Sequence, residues 1–449
     1  MKSIKENKKW DINSDGLIKK TDTLILGAGL TGLSAAYKLK KLGFKDILIL
    51  EKGDRPGGLL KTNRKEGGAI DELPHVFFSK DKIAKDFFLK MVGKVYKHSH
   101  NLGVLWKKGY IDYPFQNNIH QLEIEERKKI LKDLIERKPF EDCKVKNLED
   151  FAIKNLGREV TELFFRPYNE KLWLMPLKKM DYKWLSSKIK MLEGRDIVES
   201  VLGKGKKKNK DVAPHAEFIY PQKGGIETLV DGLVANVGSD KIKLNTKITK
   251  IDAKKKMVFA EKEVFHYDRI ISTLPLKDAL QLSGMKKQAS VLKRLKATKV
   301  FCVQYVLNKI NLPNYHWIYV PSKKEPFYRL TRVDLINPKA FKGKKVLLVE
   351  CAIAESDFPN EKIFIKKITS HLEKLGILKG KDIVRTWHSE HFPAYPVPHF
   401  KGEKDIDFCL KELLKKQIIS SGRSGEWFIK NMDHSILAGF KAAGEISKR

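Results

Sequence analysis

Gly27-Ala28-Gly29-Leu30-Thr31-Gly32 places three glycines at the spacing G-x-G-x-x-G, and Glu51 follows about 20 residues on. The chemistry of such a set is the holding of a dinucleotide. Gly27 permits a tight turn, Gly29 lets the main chain approach a pyrophosphate, and Gly32 lets a helix pack close to a strand. Leu30 and Thr31 then open a helix whose free N–H groups and dipole favour an anion. Glu51 stands where an acid accepts hydrogen bonds from ribose hydroxyls. The context agrees: an apolar strand at 23–26, helical spacing at 33–42 and a second apolar strand at 47–50. Other arrangements of reactive residues are weaker. His98 and His100 have H-x-H spacing without an acidic or cysteine partner nearby, so no metal site is expected. Neither a G-x-S-x-G elbow nor a P-loop pattern occurs.

Arg55-Pro56-Gly57-Gly58 brings a second glycine pair just after Glu51. It resembles the R-x-G-G element of FAD enzymes of the amine-oxidase class, in which backbone amides meet the ribityl–pyrophosphate region. This moves the expected cofactor from NAD to FAD. Residues 268–275 resemble the strand that returns to the FAD sheet in that class. Gly422 and Arg423, with Asn431, Met432 and Ser435 opening the last helix, resemble its C-terminal flavin contact, where a helix N-terminus stabilises negative charge. Lys52, Leu59 and Ile248 complete the candidate cofactor-binding set.

Further segments occur in a distinctive order: residues 113–119 (YPFQNNI), 165–173 (FRPYNEKLW), 317–319 (WIY), 326–329 (PFYR), 395–398 (YPVP) and 422–427 (GRSGEW). With the FAD motifs they make nearly the whole chain beyond the N-terminal arm resemble the UDP-galactopyranose mutases, eukaryotic-type and bacterial. These sit within the FAD-dependent amine oxidase and protoporphyrinogen oxidase-like superfamily. The resemblance implies interconversion of UDP-galactopyranose and UDP-galactofuranose, in support of cell-surface polysaccharide biosynthesis. Reduced FAD attacks the anomeric carbon through N5 without net redox change, so the protein need not supply a nucleophilic side chain. It leaves NADPH or NADH as candidate reductant, although no second G-x-G-x-x-G is present to bind one. By motif position Arg166 and Arg329 clamp the UDP-sugar pyrophosphate, as arginine forks do. Tyr319 and Tyr395 assist them. Tyr113, Phe115 and Gln116 meet the uracil, with Phe78 stacking nearby, and His75 lies beside the flavin. Taken alone, several of these have plainer readings. Arg166 also reads as a helix C-terminal cap, Arg329 as a surface strand residue, Tyr113 and Phe115 as core, and Trp173 and Trp317 as packing.

Two departures from the family pattern stand out. A flexible Gly-Gly-His loop is expected beside flavin N5, and this chain has Leu73-Pro74-His75. Proline fixes φ and removes an N–H, so the loop should be stiffer. A tyrosine is expected shortly after Trp427, where Phe428, Ile429 and Lys430 stand. These departures keep an alternative in view: an FAD-dependent oxidoreductase of the amine oxidase or protoporphyrinogen oxidase-like class. A third reading is a non-catalytic flavoprotein that binds anionic membranes or a glycan-assembly partner through its lysines.

The elements that must position these residues follow from periodicity. The expected class is α/β: an FAD-binding Rossmann-like domain with an inserted helical domain and an antiparallel β-sheet substrate domain. The expected division is a disordered basic arm at 1–20, FAD-binding parts at 21–84, 213–290 and 401–449, a mainly helical domain at 85–212 and the sheet domain at 291–400. Within the helical part, Leu131, Leu134 and Ile135 share one face, Asn147 and Gly157 bracket a short helix, and Pro167 should stop the run through Phe165. Strands are expected at 242–251, 257–260, 264–267, 269–274, 300–307, 317–320, 346–354 and 383–390, and helices at 363–375 and 436–446. The 449 residues carry a formal charge of +34. Such a field attracts anions, but no nucleic-acid motif accompanies it. Its densest run, 204–210, reads as a solvated loop. Peripheral membrane contact and oligomeric state stay open. No apolar run reaches the roughly 18 residues of a membrane span, no secretory signal opens the chain, and four scattered cysteines form no CxxC pair. A cytoplasmic location is expected.

Overall fold

The computed structural model describes residues 10–13, 16–136, 145–186, 194–203, 217–261, 263–285, 289–399 and 402–449. The lysine run at 204–210 and Cys143 lie outside them. Two large sheets carry the architecture.

The first sheet has a parallel centre. Gly16–Leu26 lies between Ile47–Leu50 and Val264–Ser272, and Ile418–Ser420 pairs with the latter, all parallel. Met257–Ala260 and Ile248–Asp252 extend it antiparallel. The helices Leu30–Lys41 and Met432–Ser447 pack on one face, with Leu33, Ala36, Ile436 and Ala443 in one core. Gly439 permits that contact, since a Cβ there would lie 2.5 Å from the Thr31 carbonyl oxygen. The expected strands at 264–267 and 269–274 are one strand, because Val264 to Ser272 pairs without a break from Ile18 to Leu26. The same pairing revises the expected arm: residues 16–20 are strand, and Trp10–Asn13 folds back antiparallel onto them. Long-range pairing, with Ile18 buried, orders a stretch whose local composition is polar.

The second sheet has seven strands in the order Ile383–Pro396, Ala297–Leu307, Lys345–Ile353, Arg329–Arg332, Trp317–Tyr319, Leu102–Trp106 and Gly109–Asp112. Ala297–Leu307 is buried at every position, as a central strand covered on both faces must be. Phe301, Val303 and Tyr305 face a core shared with Ile368 and Leu372 of the helix Glu361–Lys374. Val300, Cys302 and Val306 face the opposite way, toward Ile70 and Leu73. The last two strands in that order, with Val95–Ser99, fall in the stretch expected to be mainly helical. Leu102–Trp106 and Val95–Ser99 pair with Trp317–Tyr319 and Glu217–Pro221, far away in sequence, and Gly109–Asp112 joins the sheet through Leu102–Trp106, so local periodicity does not reveal them.

The helical layer forms its own core around Phe115, Ile130, Leu148, Phe164 and Trp173. In Ile124–Glu136 the buried residue is Ile130, with Leu131 and Leu134 partly buried. Ile135 is 81% exposed, off the face assigned to it. Pro167 does not stop its helix. A π-helical turn at Thr161–Phe165 precedes it, and Pro167 occupies the start of Arg166–Trp173, where a missing N–H is tolerated. Asn147 accepts from the Asp150 N–H at 3.0 Å as the N-cap of Leu148–Leu156. Asn147→Ala should lower unfolding free energy by about 1 kcal/mol in urea titration, with cofactor content unchanged.

Candidate functional site

A cavity of about 990 Å³ runs from the first glycine turn, between the two sheets, to the start of the last helix. It lies at the upper end of the ~300–1,000 Å³ range of ligand pockets.

Its floor is backbone. Gly27 has φ +100°, and a Cβ on Gly32 would lie 2.0 Å from the Gly27 oxygen, so the turn and helix close only around glycine. The Gly57 N–H donates to the Ala28 carbonyl at 2.9 Å, which places the second glycine turn against the first. A Cβ on Gly58 would come within 3.2 Å of the Gly29 Cα. Glu51 braces both sides, accepting from the Ala28 N–H at 2.8 Å and the Gly53 N–H at 2.9 Å. Gly29 caps Leu30–Lys41 without a side-chain bond, and no acidic residue occupies the first turn. The helix therefore presents free N–H groups to an anion.

Of the residues expected at the cofactor, Gly27, Gly29, Leu30 and Thr31 line this end, with Glu51, Lys52, Gly57, Gly58 and Leu59 beside them. Ile248 lines it from the same sheet, and Gly422, Arg423, Asn431, Met432 and Ser435 line the far end. Gly32 lies behind the turn. Arg55 points elsewhere, with Nη2 2.5 Å from Glu72 and Nη1 3.2 Å from Glu227.

The second sheet supplies the other wall. Arg329 lines the cavity, and its Nε and Nη2 donate to Glu350 at 2.5 and 2.7 Å. Glu350 is fully buried and also accepts from the Tyr328 hydroxyl at 2.8 Å. Burial works against the Arg329 charge, and the carboxylate more than offsets it, so its pKa stands well above the ordinary value. Arg423 differs. It donates to the carbonyls of Ala394 and Lys430 and lies 5.0 Å from the centre of the Tyr395 ring. No carboxylate among the described residues pairs with it, and burial lowers its pKa. Lys430 also lines the cavity, its ammonium paired with Glu426.

His75 and Phe78 reach the cavity from the loop after Asp71. His75 Nδ1 donates to the Leu73 carbonyl at 2.9 Å. Burial, with Arg423, His391 and Arg329 nearby, holds its pKa down at about 3. Because the folded value is the lower one, the unfolded chain binds the extra proton. This contribution to stability is present above about pH 6.5 and is lost as pH falls toward 3. His75→Gln should therefore flatten the stability–pH curve between those values, read by urea titration at each pH. Asp71 anchors the loop, accepting from Thr62, Tyr220 and the Ile226 N–H, and burial raises its pKa to about 6.

The remaining expected substrate residues are divided. Tyr395 lines the cavity. Tyr113 packs on Tyr319 at 4.7 Å, and Tyr319 accepts from Trp317 Nε1 at 3.2 Å, one layer behind the wall. Phe115 is fully buried, stacked on Phe164, and Gln116 sits in a short 3-10 turn beside it. Arg166 does not line the cavity. It is held by Glu149 at 2.6 Å, Glu162 at 2.8 Å and Glu170 at 3.4 Å. Two of those acids stand four residues either side of it, a signal readable in the sequence. Trp317, read as packing, lines the cavity, as do Glu72 and His391, which carried no motif.

The chain is similar to a crystal structure of reduced UDP-galactopyranose mutase, at 27% identity and TM-score 0.88 over 95% of this chain and 96% of that one. A putative protoporphyrinogen oxidase from Exiguobacterium sp. 255-15 shares the fold at 16% identity, with TM-score 0.77 over 96% and 99% of the two chains. By sequence it is 27% identical to the chloroplastic protoporphyrinogen oxidase of Oryza sativa subsp. japonica, over 51% of this chain and 47% of that protein. The chain thus spans about half the length of that relative. It is 24% identical to the coproporphyrinogen III oxidase of Staphylococcus aureus, over 65% and 68%. Residues 30–447 match the family of flavin containing amine oxidoreductases, which implies FAD as cofactor, and the chain belongs to that family.

Proposed function

We propose that this chain is an FAD-dependent mutase that interconverts UDP-galactopyranose and UDP-galactofuranose. The observation that carries the reading is the pair of partly buried guanidinium groups, Arg329 and Arg423, in the cavity wall. One has a carboxylate behind it, and the other has none among the described residues, so the wall presents net positive charge to an anionic ligand. The glycine cradle and Glu51 would hold the adenosine and pyrophosphate of FAD, and the start of Met432–Ser447 its ring edge. When bound and reduced, FAD supplies a nucleophilic nitrogen to the anomeric carbon. Arg329, kept in place by Glu350, would hold the diphosphate with Tyr395, while Phe78 and Trp317 form apolar walls that exclude water.

The test is FAD-loaded, dithionite-reduced enzyme given UDP-galactofuranose, with product followed by chromatography. Conversion to the pyranose is expected, with none when the flavin is oxidised. Bleaching of the flavin by NADPH or NADH tests each as reductant. A second reading, a net oxidoreductase, is favoured by two observations: the curated relatives named above are porphyrinogen oxidases, and Arg166 is tied to three carboxylates away from the cavity. Rapid flavin reduction by a porphyrinogen, with stoichiometric oxidised product and no sugar turnover, would establish it instead.

A further inference from the structure

His391 belongs to the edge strand Ile383–Pro396 and is 7% exposed, yet it lines the cavity. Sheet register places it on the wall that carries Arg329. Ser389, Cys302, Glu350 and Arg329 stand opposite one another across four strands, and His391 is two residues from Ser389, hence on the same face.

The hydrogen-bond partners fix its tautomer. Nε2 lies 3.1 Å from Ser389 Oγ and 4.0 Å from Glu72 Oε2. The Ser389 hydroxyl already donates to the Glu72 carbonyl at 2.9 Å, so it accepts from the ring, and the carboxylate can only accept. The proton therefore sits on Nε2, and Nδ1 is left as the acceptor. His75 has the opposite tautomer: Nδ1 donates to the Leu73 carbonyl, and Nε2 is left as the acceptor. Both rings line the same cavity, and His391 is near enough for its charge to disfavour charge on His75. The cavity thus holds two neutral imidazole acceptors beside two guanidinium donors.

We propose that His391 Nδ1 and His75 Nε2 accept hydrogen bonds from hydroxyl groups of the substrate's sugar, which makes His391 a substrate-binding residue that selects the glycosyl part of the ligand. The assignment rests on the nucleotide-sugar reading above. Arginine forks recognise phosphate but cannot accept from a hydroxyl, whereas neutral imidazole can.

Amide isosteres separate this role from a structural one, because asparagine places a polar atom at the Nδ1 position and glutamine at the Nε2 position. His391→Asn keeps the acceptor and loses the bond to Ser389. His391→Gln keeps that bond and loses the acceptor. At His75 the two replacements exchange roles. The probes are UDP and UDP-galactopyranose, titrated into the oxidised FAD-loaded protein, in which no turnover occurs. His391→Gln and His75→Asn should each raise the Kd for UDP-galactopyranose by about tenfold, as expected for one lost hydrogen bond. Both should leave the Kd for UDP unchanged. His391→Asn and His75→Gln should bind both ligands within about threefold of the unaltered protein while lowering Tm. Equal weakening by asparagine and glutamine at position 391, or equal weakening of UDP and UDP-galactopyranose, would overturn the proposal while the nucleotide-sugar reading stands. Failure of the unaltered protein to bind UDP would overturn that reading and this one with it.

Discussion

Arg329→Met is expected to destabilise the folded protein by about 3–5 kcal/mol and to abolish binding of a diphosphate ligand. The size follows from Glu350. Its side chain is fully buried, one oxygen accepts from Arg329 Nη2 and the Tyr328 hydroxyl, and the other from Arg329 Nε. Removing the guanidinium leaves a carboxylate in a low-dielectric interior with one neutral donor, and the desolvation cost is no longer offset. A double replacement separates the two consequences. Arg329→Met with Glu350→Gln removes both charges, and the glutamine oxygen can still accept from Tyr328. Most of the lost stability should return, read by urea denaturation of the FAD-loaded protein, while UDP binding should not. If the double variant bound UDP as the unaltered protein does, Arg329 would have no part in ligand recognition. Arg329→Lys should recover less than the double variant, because one ammonium cannot reproduce the two-pronged bond to Glu350.

Gly32→Ala is expected to eliminate retained FAD. An added Cβ would stand 2.0 Å from the Gly27 carbonyl oxygen, 3.2 Å from its carbon and 3.3 Å from Ile25 Cγ2. Two of these are backbone atoms of the turn itself, so no side-chain rotation relieves the clash. The helix Leu30–Lys41 would have to move outward, but Met432–Ser447 blocks it, since Gly439 already lies against Thr31 and Ser34. The first turn would therefore distort, and its N–H groups would no longer converge on the pyrophosphate position. Flavin absorbance after gel filtration should fall below about a tenth of the unaltered value, in line with a loss of at least one hydrogen-bonded anion site. Gly444→Ala is the control. It lies in the last helix with nothing within 4 Å of the added carbon, and it should retain full FAD.

The cofactor end of the site was legible because its information is local. Three glycines, the strand before them, the helix after them and Glu51 lie within a short stretch, and each acts through the backbone conformation of its own neighbourhood. The Leu73-Pro74 departure was legible for the same reason, because proline acts on its own dihedral and its own missing N–H. The strands Ala297–Leu307 and Lys345–Ile353 showed themselves as largely apolar runs, since a strand covered on both faces has room for few polar side chains.

The substrate end depended on partners remote in the chain. Arg166 and Arg329 look alike as motif arginines, and both are partly buried and held by carboxylates. Only Arg329 lines the cavity, because Glu350 pulls its fork against the sheet wall, whereas Glu149, Glu162 and Glu170 draw Arg166 into the helical layer. Leu102–Trp106 joined the second sheet through Trp317–Tyr319, and the same long-range pairing turned Trp317 from a packing residue into a wall of the cavity. His391 became visible only when Val300 and its neighbours set the register that puts it on the face of Arg329. The sequence by itself thus determined that the chain cradles a flavin dinucleotide, since turn geometry and glycine contacts are encoded within the one stretch 27–58. Which charges and acceptors confront the ligand was decided by the tertiary structure, because sheet register and ion pairing between distant segments select which side chains are neutralised and which face the cavity.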